Sequence, residues 1–206
     1  MKSTTDTKEA EAERILKAAR QQVFKHGART LQLDKLAAKL SLSVKTIYAH
    51  YRAKPLLVTA VLRDKMMEMD SDLEVIHSKH ITFAESMRMM REVLHKHSLE
   101  YSEKYMRDML LKGNAGYFEW MRNLREEILT RHLTEFFELG QREGAVRNDI
   151  SVTTFNELYL SMTNGILIGR ILRKTKGSNV NAVHSELFTM LLEGVLVRCD
   201  CGSVKS

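Results

Sequence analysis

One proline in 206 residues leaves a chain with almost no obligatory helix breaker, because proline removes a backbone donor and clashes with the preceding helical turn. Against that background, apolar residues recur every three or four positions through nearly the whole sequence. Ile15, Ala19, Val23 and Phe24 form the stripe of a first helix over residues 7–26, opened by Asp6 and Glu9 as a capping box and stopped at Gly27. Leu33, Leu36, Ala37 and Leu40 make a second, short helix, and after the break "SLS" Ser43 is a good N-cap for a third that runs to about His50. The lone proline, Pro55, then falls where its missing N–H costs nothing, in the first turn of a long fourth helix through "PLLVTAVLRDKMMEMDSDLEVI". Residues 82–112 read as two amphipathic segments, with Phe83, Met87, Met90 and Leu94 on one face and Tyr105, Met109 and Leu110 on the next. A long helix through "YFEWMRNLREEILTRHLTEFFELGQREG" closes at Gly144, and two last helices, 152–174 and 180–198, are divided by "KGSN". The pattern predicts an all-α protein of about nine helices. Residues 1–54 make an N-terminal three-helix domain, which the fourth helix joins to a helical domain over 55–206.

The composition, 44% hydrophobic and 28% charged, is that of an ordinary globular protein and excludes a wholly disordered chain. No apolar run approaches the roughly 18 residues of a membrane span. The opening "KSTTDTKEAEAER" has no apolar core of the kind a secretory signal needs, so a cytoplasmic protein is expected. Cys199 and Cys201 lack a nearby histidine and read as an incidental pair; His77/His80 and His95/His97 read as surface histidines, so no metal is expected. No nucleophile with its base and no phosphate-binding glycine loop is present, which points away from an enzyme and from a cofactor. Charge is more informative. Residues 1–65 hold 14 Lys and Arg against 6 Asp and Glu, whereas the remainder holds 18 against 20. The basic first third suits a polyanionic partner, although a solvated surface would also carry lysines.

A short helix, a three-residue break with a capping serine and a second short helix form a helix-turn-helix pattern, in which the second helix enters a major groove. Leu42, Ile47 and Tyr51 have the spacing of an inward face. Ser43, Lys45, Thr46, Ala49 and His50 are left outside, with Val44 at the start of that face and Tyr48 on its rim. The outer face carries donors and no carboxylate. Ser43, Tyr48, His50 and Lys54 could hold phosphates, while Lys45 and Thr46 could reach base edges and Val44 a thymine methyl. Taken alone, the same stretch could be an amphipathic helix whose polar side faces water.

Residues 14–57, "RILKAARQQVFKHGARTLQLDKLAAKLSLSVKTIYAHYRAKPLL", resemble the DNA-binding region of the TetR family of bacterial transcriptional regulators. The resemblance is carried by Ile15, Ala18, Ala19, Phe24, Gly27, Leu36, Ala37, Ser43, Thr46, Ile47, Tyr48, His50 and Lys54, and "FFELGQREGAVRNDIS" and "LFTMLLEGVL" extend it more loosely. Three positions depart from the family pattern. Ser41 replaces the usual turn glycine, Leu31 replaces a frequent threonine so that Gln32 would make the phosphate contact beside it, and Tyr51 replaces the commoner phenylalanine.

The resemblance implies a homodimeric repressor that leaves a palindromic double-stranded DNA operator when a small-molecule effector binds. Dimerisation would use the last two helices. "LYLSMTNGILIGRIL" is apolar over most of its circumference, and Gly165, Ile168, Gly169 and Leu172, with Leu187, Met190 and Leu191, are the candidate seam. Twelve methionines supply adaptable apolar material. Met66, Met87, Met90, Met106, Met109, Trp120, Met121 and Phe136 are the candidate effector lining, most of which could equally be plain core.

Overall fold

A computed structural model describes residues 4–105, 116–163, 166–174 and 180–196. Met106, Met109, Gly165, Cys199 and Cys201 therefore lie outside the described residues. Among those residues there are nine α-helices: α1 Thr4–His26, α2 Leu33–Leu40, α3 Val44–His50, α4 Lys54–His77, α5 Phe83–Ser98, α6 Gly116–Arg142, α7 Val152–Thr163, α8 Ile166–Lys174 and α9 Val180–Val195. The expected all-α class holds. One boundary differs from the sequence reading: helix α1 starts before Asp6, so Asp6 stands inside it instead of at its N-cap. Of the span 152–174, residues 152–163 and 166–174 are described, and all of them are helical.

Local chemistry sets most of the ends. Ser43 caps α3 by accepting from the Thr46 N–H at 2.9 Å. Thr82 and Glu85 form a reciprocal capping box at α5. Pro55 lies in the first turn of α4. Gly140 permits a close approach: a Cβ there would meet Val146 Cγ2 at 2.5 Å and the Phe83 ring at 2.9 Å, so the end of α6 can lie against the loop that follows it and against the start of α5. That loop is pinned to the last helix where the Arg147 N–H donates to the Val195 carbonyl at 3.0 Å.

Helices α1, α2 and α3 form an N-terminal unit around Ile15, Ala19, Val23, Leu36 and Ile47, all buried. Helix α4 packs against α1, α5 and α6. Its buried positions run unbroken from Leu57 to Ile76, so one hydrophobic core extends from the N-terminal unit into the larger helical unit. Helices α7, α8 and α9 close the far side, with Ile168 and Val183 forming a small satellite core.

Two histidines lie inside the α4–α6 contact. The rings of His77 and His132 stack with centroids 4.9 Å apart and planes 3° from parallel. His77 Nδ1 is 3.1 Å from Glu135 and His132 Nε2 is 2.8 Å from Asp70. The opposite nitrogens, His77 Nε2 and His132 Nδ1, are buried with no hydrogen-bond partner. For His77 a neutral imidazole suits this arrangement, because its one N–H faces the carboxylate and the bare nitrogen exposes only a lone pair; protonation would bury an unpaired N–H. Burial, the largest cause, and the neighbouring His132 and Arg131 push His77 below the usual histidine range, against the pull of Glu135 and Glu74. His97 is lowered as well, by burial and then by Lys65. Unfolding thus takes up protons, and stability present above about pH 6.5 is lost as the pH falls through the folded-state values, with a slope of at most ~1.4 kcal/mol per pH unit for each proton. Urea unfolding between pH 7.5 and 5 should show this decline. His77→Asn should make it shallower, and an unchanged slope would remove His77 from the effect.

Candidate nucleic-acid interface

The crossing of α3 over α2 is made by a tight left-handed end to α2. Ser41 has φ 57° and ψ 40°. Its N–H donates to the Ala38 carbonyl at 3.2 Å and the Leu42 N–H to the Ala37 carbonyl at 2.9 Å, the paired bonds of a Schellman motif. Leu42 and Tyr51 then pack partly buried against the core and Ile47 is 1% exposed, so the inward face of α3 is the one expected. The Tyr51 hydroxyl donates to the Ala12 carbonyl on α1 at 3.1 Å and fixes the far end of α3.

The outward face divides in a way the sequence did not show. Lys45, Tyr48 and Ala49 are exposed. The Ser43 hydroxyl is occupied by the helix cap and lies 2.7 Å from the Thr46 hydroxyl. His50 is half-buried with Nε2 3.3 Å from Glu11 on α1. Val44 packs partly against the core, and Lys54, half-buried, donates to the Arg29 carbonyl at 3.0 Å. Gln32 is exposed at the N-cap of α2, where it makes no side-chain cap bond. Arg52, exposed just beyond α3, was missed by sequence reasoning. Its position next to Tyr51 at the end of the carboxylate-free stretch is the signal that could have found it.

In the larger unit, Met87, Met90 and Phe136 of the candidate lining meet Phe83, Phe137, Phe155 and Phe188 around an apolar crevice of only about 10 Å³, room for about one water. Met66 and Met121 are buried in the same core away from the crevice, and Trp120 is half-buried with the Arg63 guanidinium 5.2 Å from its ring centre. Of the candidate seam, Ile168 and Leu191 are buried within the chain, Leu187 is half-buried, and Met190 is 69% exposed. Gly169 and Leu172 fall in α8, but the Leu172 side chain lies outside the described residues.

A larger cleft, about 760 Å³, lies where α1, α4 and the end of α5 meet, and Arg20, Phe24, Asp64, Glu68 and Glu100 line it. Glu68, His97 and Glu100 bring ligand-type atoms within 4.8 Å of one another there. Positive charge is already supplied to them by Arg20 and by Lys65, 1% exposed, which is hydrogen-bonded to Glu100. The group is therefore an ion-pair cluster in its own right.

Residues 15–61 match the model of the family described as bacterial regulatory proteins, tetR family. Residues 15–61 are thus similar to the N-terminal domain of that family. The whole chain has the TetR-like fold. It is similar to a TetR-family transcriptional regulator from Agrobacterium tumefaciens, with a TM-score of 0.70 and 14% identity over 92% of this chain and 100% of that one. It is similar to a putative transcriptional regulator from Saccharomonospora viridis in complex with choline, with a TM-score of 0.69 and 16% identity over 92% and 100% of the two chains. It is also similar to SmeT, the repressor of the Stenotrophomonas maltophilia multidrug efflux pump SmeDEF, with a TM-score of 0.67 and 17% identity over 95% and 96%. At such identities these likenesses carry the fold alone. A search of curated proteins finds no match.

Within the TetR-type domain, Ser41 is the one described non-glycine residue with positive φ. A left-handed conformation costs a residue with a Cβ about 1–2 kcal/mol, and glycine in exchange loses more entropy on folding. Ser41→Gly should accordingly stabilise the protein by about 0.5–1 kcal/mol, read as a raised urea midpoint at constant m. A lowered midpoint would show that the serine side chain contributes more than its backbone strain costs.

Proposed function

We propose that the protein is a homodimeric TetR-family transcriptional repressor in the cytoplasm, released from a palindromic operator by a small-molecule effector, and not an enzyme. Residues 1–54 serve as the DNA-binding domain and residues 55–206 as the effector-binding and dimerisation domain. The observation that carries this reading is the exposed face of α3: Lys45 and Tyr48 stand out from a helix capped by Ser43, and no carboxylate occurs from Ser43 to Lys54. Lys45 and Thr46 near the helix N-terminus reach base edges and Val44 a thymine methyl, while Ser43, Tyr48, His50, Lys54 and Gln32 position the helix on the backbone. A two-fold dimer through α8 and α9 places two copies of α3 in major grooves about one helical turn, or a multiple of it, apart. The exposed Met190 extends the seam outward from Ile168, Leu187 and Leu191.

The effector enters among the methionines and aromatic residues of the larger unit. Its crevice is closed to about one water, so a ligand must displace side chains, and methionine is the side chain best able to repack. SmeT is described as a repressor and has been solved with triclosan; with the choline complex it supports ligand-governed release for this chain. The ligand acts by favouring a state whose two α3 helices no longer match the grooves, and its effect equals its differential affinity for the two states.

The test is selection of bound fragments from genomic DNA, followed by titration of the recovered duplex. Affinity should fall steeply with salt, because bound phosphates release counterions. Lys45→Ala should cost about 1–3 kcal/mol and relax sequence preference, whereas Lys54→Ala should weaken all sequences alike and reduce the salt slope by about one. Undiminished selection of the palindrome by Lys45→Ala would take that residue out of the readout, and failure of the unaltered protein to bind any duplex at low salt would sink the reading.

A further inference from the structure

Arg20, in the middle of α1, ties three segments together. Its Nη1 donates to Asp64 at 2.9 Å, its Nε and Nη2 donate to Glu100 at 3.0 and 2.8 Å, and Nη2 also reaches Glu68. Asp64 and Glu68 are one turn apart on α4, whereas Glu100 belongs to the segment that follows α5. Lys65 reaches Glu100 from the buried side and lies 3.8 Å from Glu68. Two cations therefore serve three carboxylates. Burial disfavours the charge of Glu100, but its hydrogen bonds with Lys65 and Arg20 prevail and hold it below the usual carboxylate range.

The segment after α5 grips the end of α1 in further ways. The Ser102 N–H donates to the Phe24 carbonyl at 3.0 Å, and the Lys104 ammonium donates to the His26 carbonyl. These are carbonyls that the last turn of a helix leaves without an intrahelical partner. The Phe24 ring meets Tyr101 and Tyr105 edge-on, at 4.9 and 5.2 Å. At the other end of the same helix, Glu11 and the Ala12 carbonyl hold His50 of α3 and Tyr51 just after it. Helix α1 is thus a rod fastened at one end to the larger unit and at the other to α3.

We propose that Arg20 is a positioning residue for DNA binding. It locks α1 to the segment Glu100–Tyr105, and α1 in turn sets the pose of α3, so affinity for the operator depends on an ion-pair cluster that touches no DNA. The inference rests on the DNA-binding reading above.

The test titrates the operator duplex recovered by selection, at several salt concentrations, with the unaltered protein, Arg20→Gln, Arg20→Lys, Glu100→Gln, the Arg20→Gln/Glu100→Gln double variant and Tyr51→Phe, each also followed by urea unfolding. Arg20→Gln and Glu100→Gln should each weaken binding about tenfold with the slope of log Kd against log salt unchanged, since no phosphate contact is lost. The double variant should bind like either single one, because both remove the same link. Arg20→Lys, which keeps the charge but loses the fork, should recover part of the affinity, and Tyr51→Phe should weaken binding in the same slope-preserving way. A slope reduced by about one for Arg20→Gln, with Glu100→Gln neutral, would make Arg20 a phosphate contact and overturn the proposal. Losses that merely follow the folded fraction, or affinities that do not change, would overturn it too. Absence of binding by the unaltered protein would instead refute the DNA-binding reading on which it rests.

Discussion

Everything in this fold is referred to α4. A helix of 24 residues, roughly 36 Å long at 1.5 Å per residue, presents Leu57, Val58, Val61 and Leu62 in its first half and Met66, Met69, Leu73 and Ile76 in its second, all buried. The helix packs against α1, α5 and α6. Because close-packed interiors are stiff, the helix cannot tilt in one half and stay still in the other. The proline that opens it falls at the one point where helix continuity is not interrupted.

Midway along that helix the packing changes from apolar to charged. Asp64 and Lys65 stand between the two apolar stretches, with Glu68 one turn beyond Asp64, and Lys65 is almost wholly enclosed. Burying charge is costly unless partners are well placed, and well-packed apolar residues often do as well for stability. What an ion-pair cluster adds is direction. Apolar surfaces tolerate small sliding, whereas the guanidinium fork of Arg20 satisfies its carboxylates in one pose. Burial works against the Arg20 charge, yet hydrogen bonds to Glu100 and Glu68 outweigh it, and the pKa lies above the ordinary arginine value. The cation is thus permanent.

What could be read from the sequence follows the range of each interaction. The cap by Ser43, the placing of Pro55, the inward set Leu42, Ile47 and Tyr51, and the strain at Ser41 are all decided within about one helical turn, and the structure shows each of them. The Arg20 cluster joins residues separated by 44, 48 and 80 positions, and nothing in local spacing announces it. The same limit applies to the stacked pair His77 and His132: the spacing of His77 presented it as a surface histidine, and nothing along one helix pairs it with His132 on another. Methionines at helical spacing also could not be sorted into lining and core. The crevice draws Phe83, Phe155 and Phe188 from three helices, and only tertiary packing brings them to Met87, Met90 and Phe136.

Long-range contacts also revise how the outer face of α3 is to be understood. Sequence spacing presents its polar residues as one set, but the fold has already used several of them. Ser43 and Thr46 are engaged in the cap, His50 turns to Glu11, and Lys54 gives a hydrogen bond to the Arg29 carbonyl. Lys45 and Tyr48 remain exposed, the latter at 44%. On the DNA-binding reading this concentrates base readout in few side chains, whose correct presentation then matters more than their number. A recognition face with little redundancy tolerates little error in pose. The bonds that fix α3 to α1 at Glu11 and Ala12, and α1 to the segment after α5 at Arg20, are accordingly as much a part of sequence recognition as the residues that would touch a base.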